Sequence, residues 1–415
     1  MSENANPLLL DPKLLRDVSV DQAMARLIEH ASRIRASDLY IGLDRDDAGI
    51  AVRRQGLVQP LCRVSQDEGV RFISHVKAMA GMKFAQKREP ADGRWICVVR
   101  EGVKIDLRIN TIPTLWGEDM TIRLLECDMG LPRLSQLGYP PQALERLRML
   151  LNGAGGLLLV TGPTGAGKTT TLYACLNYLN DGHRKINTIE DPVEYEMPGI
   201  RQSQVRPEYN LDFPVLLRSV LRQAPDVIMV GEIRDSVTAE TAVHAANSGH
   251  LVLATLHAPL AANCVSTMLA LGVNQRFLAT SLLGAVSQRL VRRLCGSCKV
   301  PRDLSKSPFS FDAVRQWLVP GQGEHIYSAK GCKDCFYDGY LGRMAVAEVM
   351  CVGPEIRQMI HDKAAAGEIR KKAMELGMID LRGSALLSVA QGTTSAEELM
   401  RTIPAEQLMP EDRED

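Results

Sequence analysis

The chain has 415 residues, 45% hydrophobic and 24% charged, enough for two or three domains with their own cores. Its formal net charge is zero, which argues against a nucleic-acid binder that works through a basic surface. No apolar run approaches the roughly 20 residues that span a bilayer, and the start "MSENANPLLLDPKLLRD" lacks the basic, apolar and small-residue regions of a secretory signal.

Residues 1–18 read as a tail. An amphipathic helix follows in "SVDQAMARLIEHASRIRASD", with Ala23, Leu27, His30 and Ala31 at helical spacing. "LYIGLD" and "GIAVRRQG" read as strands around an Asp-rich turn, and "DEGVRFISHVKAMAGM" as a second helix. "RWICVVREGVKIDLRINTIP", with "REG" as its turn, and "EDMTIRLLEC" complete an α+β domain over residues 19–127. Pro and Gly cluster in "DMGLPRLSQLGYPP", so residues 128–141 form the linker. Beyond it, short apolar strands alternate with helices, the pattern of a parallel sheet covered on both faces. Residues 363–403 read as helical, and 404–415 as an acidic tail.

"GPTGAGKTT" (Gly162, Pro163, Thr164, Gly165, Ala166, Gly167, Lys168, Thr169 and Thr170) fits the phosphate-binding loop G-x-x-x-x-G-K-[ST], between an apolar strand and a helix. The glycines let backbone N–H groups turn around a phosphate, and the helix start adds its positive dipole end. Lys168 can reach the β- and γ-phosphates of ATP, and Thr169 can offer its hydroxyl to Mg²⁺. In "APDVIMVGEIRD", Glu232 ends an apolar strand, where ligands bind in open α/β sheets. It can support the Mg²⁺ shell or polarise the attacking water. "NTIEDPVEYE" ends another strand with Glu190, Asp191 and Glu194, a cluster able to order water and metal. His250 and His257 bracket "HLVLATLH", and His257, at the C-terminal end, is the better γ-phosphate sensor.

Cys295 and Cys298 form one C-x-x-C pair, and Cys332 and Cys335 another. A redox pair, a metal site and plain packing are the alternatives. Two pairs fit a closed tetrahedral Cys₄ zinc site better than a single-pair redox motif. Arg292, Arg293, Lys299 and Lys333 would offset its charge. The isolated Cys62, Cys97, Cys127, Cys175, Cys264 and Cys351 read as small buried hydrophobes.

Together these motifs resemble the secretion ATPases of type II secretion and type IV pilus assembly, the GspE/PilB group, from about Ala23 to Ile403. The resemblance rests on "TGPTGAGKTTTLYA", "TIEDPVEY", "DVIMVGEIRD", "GHLVLATLH", "SQRLVRRLCGSC", "GCKDCFYDGYLGR", "REPADGR" and "LRINTIPTLWGEDMTIRLL". It implies an α/β, RecA-like P-loop ATPase domain over 142–403 with a Cys₄ zinc subdomain at 288–343. A smaller α+β, PAS-like N-terminal domain would precede it. It further implies a homo-hexameric, cytoplasmic motor, peripheral to the inner membrane, that works on a membrane platform protein. Arg108 and Arg123 match the family's N-terminal arginines, which neutralise charge on the γ-phosphoryl group. The alternatives are a pilus-retraction ATPase, whose family lacks the paired cysteines, and a nucleotide-gated scaffold with little turnover. The chain departs from the family at Tyr40, Gln55, Ala224 and Ala258-Pro259. Residues 1–18 are too short for the further N-terminal domain that assembly members often carry.

Overall fold

The computed structural model describes residues 8–82, 89–99, 102–126, 130, 132–306 and 309–408. The chain separates into two compact units, Met1–Gly130 with Lys330–Gly339, and Leu131–Ala329 with Tyr340–Asp415.

The first unit is built on a six-stranded antiparallel sheet. In chain order its strands are β1 (Ala36–Leu43), β2 (Asp47–Arg54), β3 (Leu57–Ser65), β4 (Ala91–Val98), β5 (Lys104–Thr114) and β6 (Gly117–Glu126). They lie side by side in the order β3-β2-β1-β6-β5-β4. One face carries Leu39, Ile41, Ile50, Val52, Leu107, Ile109 and Ile122. It packs on the helices Val20–Arg33 and Gln66–Met79. Both helices begin at a serine whose side chain accepts from the first turn, and Ser65 forms a full capping box with Glu68. The sequence reading assigns no strand at Leu57–Ser65; the structure places β3, which contains Pro60, at the sheet edge, where proline is tolerated.

The second unit continues with β7 (Gly156–Thr161), β8 (Ile186–Glu190), β9 (Arg201–Gln204), β10 (Val227–Val230), β11 (Leu251–Leu256), β12 (Leu282–Leu294), β13 (Val300–Asp303), β14 (His325–Ser328) and β15 (Tyr340–Cys351). Seven of them form one sheet in the order β15-β12-β7-β11-β10-β8-β9. All neighbours are parallel except β12 and β15, a long antiparallel pair at one edge. β13 and β14 pair separately. Alternate residues of each central strand enter two different cores. Leu157, Leu159, Ile228, Val230, Val252 and Ala254 face one; Leu158, Val160, Val227, Met229, Leu251 and Leu253 face the other. That two-sided burial is why these strands read as continuous apolar runs. The stretch expected to be helical contains Ala366–Glu375, Leu381–Ala390 and Ala396–Thr402.

Candidate active site and metal centre

The P-loop leaves β7 at Gly162 and enters the helix Lys168–Leu179. Gly162, Gly165 and Gly167 have φ of 143°, 76° and 84°, a conformation that side chains with a Cβ rarely adopt. Lys168 Nζ donates to the carbonyls of Gly162 at 2.8 Å and Pro163 at 3.3 Å. Burial lowers the lysine's pKa, and Arg289 adds to this while Glu232 opposes it. Thr169 and Thr170 stand exposed at the helix start.

Glu232 follows β10, and His257 follows the neighbouring β11. Their side chains meet, with His257 Nε2 2.7 Å from Glu232 Oε1. Arg234 NH2 is 2.6 Å from the other carboxylate oxygen. Burial pushes the Glu232 pKa up, but Arg234 and His257 outweigh it and hold the group ionised below its ordinary range. Glu190, at the end of β8, is 3% exposed and its oxygens accept from Tyr173, from Thr188 at 2.5 Å and from Gln202 at 3.0 Å. His250 is turned back, its Nδ1 2.9 Å from the carbonyl of Ala245.

In the first unit, strand register places Arg53, Asp38, Arg123, Arg108 and Arg94 in one row across β2, β1, β6, β5 and β4. Directly paired residues share a face, so four guanidinium groups line the side away from the core. Asp38 lies 3.3 Å from Arg123 and 3.7 Å from Arg53, whose Nε donates to Tyr40 at 2.8 Å. Arg94 makes a two-pronged bond to the buried Asp106, at 2.8 and 3.0 Å. Sequence reasoning singles out only Arg108 and Arg123. The signal for Arg94 is its place in "REPADGR"; Arg53 becomes visible only through register.

The ligand atoms of Cys295, Cys298, Cys332 and Cys335 lie within 4.8 Å of one another. Zinc–sulfur bonds of about 2.3 Å imply tetrahedral edges of about 3.8 Å. The Sγ atoms of Cys332 and Cys335 are 3.8 Å apart. Cys335 Sγ accepts backbone N–H bonds from Cys332 at 3.1 Å and Gly339 at 3.2 Å, which fix the position of the sulfur. The donor set therefore fits zinc. The expected charge offset from Arg292 is corrected: this side chain pairs at 2.8 Å with the fully buried Glu398 and stacks 3.9 Å over Tyr340. Of the isolated cysteines, Cys97, Cys175 and Cys264 are buried and Cys62 and Cys351 half-buried; Cys127 lies outside the described residues. Burial pushes the thiols of Cys62 and Cys175 up to about 11 and about 12, as inert packing groups require.

The family described as "Type II/IV secretion system protein" matches residues 14–401. The chain belongs to that family. It is 39% identical over 97% of its length to the type IV pilus assembly ATPase PilB of Thermus thermophilus, and covers 44% of that protein. It is 37% identical to the type II secretion system protein E of Dickeya dadantii, over 94% of this chain and 77% of the relative. Among solved structures, the Legionella pneumophila ATPase DotB superposes with a TM-score of 0.67 at 22% identity, over 90% of this chain and 93% of that one. The pilus retraction motor PilT with bound ADP gives 0.62 at 24% identity, over 94% and 98%. The likeness to DotB and PilT shows that this chain shares their fold. No helix among the described residues is long and apolar enough to cross a membrane.

Proposed function

We propose that the chain is a Mg²⁺-dependent ATPase that drives assembly of a type IV pilus or a type II secretion pseudopilus. It would act as a homo-hexamer in the cytoplasm, held at the inner membrane by a platform protein. The observation that carries this reading is the P-loop together with the Glu232–His257 pair, on the C-terminal ends of neighbouring parallel strands of one sheet. Lys168 and the loop N–H groups would hold the β- and γ-phosphates, and Mg²⁺, bound at Thr169, would neutralise charge on the bridging oxygens. Glu232, kept ionised, orients and polarises the attacking water. His257 reports on the γ-phosphate through that carboxylate. Arg108 and Arg123 supply positive charge to the developing transition state.

The four cysteines support assembly over retraction, since the resemblance ties paired cysteines to assembly members. Likeness to a retraction motor keeps retraction as the second reading. Steady-state phosphate release from the purified chain tests the enzyme reading. Wild type should exceed both Lys168→Ala and Glu232→Gln; equal rates would remove the motor and leave a nucleotide-gated scaffold. Genetic linkage to pilin, platform and secretin components would separate the fibres.

A further inference from the structure

β12 runs beside β7, and its register pairs Ser287 with Thr161, the last residue of β7. Gln288 therefore sits level with Gly162, where the chain turns into the P-loop. The fit is close. A Cβ on Gly162 would come within 2.5 Å of the Gln288 carbonyl oxygen, and one on Gly167 within 3.2 Å of its Nε2. The loop is folded over residue 288.

The Gln288 side chain is fully buried and uses both ends. Nε2 donates to the carbonyl of Ala166 at 2.7 Å. Oε1 accepts from Thr171 Oγ1 at 2.8 Å and from the Tyr139 hydroxyl. Thr171 belongs to the first turn of the helix that follows the P-loop, and the Tyr139 hydroxyl is also 3.3 Å from its Oγ1. Tyr139 itself is 7% exposed and comes from the segment just before the helix Pro141–Leu151. A trans peptide is planar, with its C=O and N–H on opposite sides. Pinning the Ala166 carbonyl towards Gln288 therefore aims the Gly167 N–H the other way, towards the side where the motif cradles phosphate.

We propose that Gln288 is a positioning residue that presets the Ala166–Gly167 peptide for nucleotide phosphate, and that Tyr139 transmits the placement of residues 132–140 to it. This rests on the nucleotide reading of the P-loop. A loop so preset binds ground state and transition state alike. Its loss should therefore raise KM and the dissociation constant with little change in kcat.

The test is titration of the full chain with a fluorescent ADP analogue and Mg²⁺, alongside steady-state kinetics. Gln288→Leu should weaken ADP binding about tenfold, the scale of one buried hydrogen bond. Tyr139→Phe, which keeps the ring and its packing, should weaken it about threefold. In the Gln288→Leu background, Tyr139→Phe should have no further effect. Wild-type affinity in Gln288→Leu, with only a lowered unfolding midpoint, would reduce Gln288 to a structural role. Additive losses in the double variant would overturn the relay through Gln288. Should Gln288→Leu not fold, wild-type affinity in Tyr139→Phe alone overturns that relay. A wild-type chain that binds no nucleotide would overturn the phosphate site itself, and the inference with it.

Discussion

Glu232 and His257 hold one another at 2.7 Å across the ends of two adjacent parallel strands. Neither residue lies in the P-loop. The contact joins two strand ends through a charge that Arg234 shares from the other side. Glu232→Gln should therefore separate binding from chemistry. Turnover should fall by about 10²- to 10⁴-fold, the usual worth of a general acid–base group, while the affinity for Mg²⁺–ADP stays within a factor of two or so. Stopped-flow phosphate release and equilibrium titration on the same preparation would check it. Equal losses in both would make Glu232 a nucleotide ligand.

The arginine row divides into residues whose loss should be felt in catalysis and one whose loss should be felt in stability. Arg123 is more than half exposed, so Arg123→Ala should fold normally and lower turnover, as should Arg108→Ala. Arg94→Ala leaves the buried Asp106 without its two-pronged partner. Because the arginine is itself largely exposed, the loss should destabilise the chain by about 1–2 kcal/mol, the scale of a buried acceptor left unpaired. Denaturant unfolding and phosphate release together distinguish the two behaviours.

Metal analysis of protein purified without added metal should give about one zinc per chain. Cys295→Ser with Cys332→Ser should lose the metal and unfold at lower temperature, as should wild type after chelation. Full stability with no metal in the parent would exclude the site.

Glu398 is buried between Arg292 and Arg401. Burial raises its pKa, but Arg401 and Arg292 outweigh it and depress the group below its ordinary 4.5. The pair's contribution is then fully present above that pH and lost as pH falls through the lower, folded value. Glu398→Gln should cost about 3 kcal/mol at neutral pH. The gap from wild type should close as unfolding is repeated below pH 4.5. A gap independent of pH would mean packing, rather than charge, sets the cost.

Ala224 has φ of 48° and is exposed, a left-handed conformation that costs a residue with a Cβ roughly 1 kcal/mol. Ala224→Gly should stabilise the chain by about that amount in urea unfolding, and leave turnover unchanged.

What could be read in advance was local. The P-loop glycines, the strand-terminal Glu232 and the two cysteine pairs each announce themselves within a dozen residues. The β2–β3 hairpin was harder. Its two-residue turn is Gln55-Gly56, at φ 51° and 84°, and glutamine is not among the residues that mark such turns. Arg53 and Arg94 join Arg108 and Arg123 only through pairing across five strands, a relation that no spacing along the chain expresses. Gln288 reads as one polar residue in an apolar strand. Its partners, Tyr139, Ala166 and Thr171, lie far from it in sequence.

β12 carries Gln288 beneath the P-loop and stops one residue before Cys295. The strand is thus a ruler of fixed length between the P-loop and the first cysteine pair. Side chains alternate along it, so deleting one residue between them would either turn Gln288 out of the loop or draw Cys295 away from the other thiols. The irregular pairing between Arg292 and Leu294 is the one place along that interval where the strand already departs from regular register. Length changes there should be the best tolerated, and those between 289 and 291 should cost either nucleotide binding or the metal-binding capacity proposed for the cysteines.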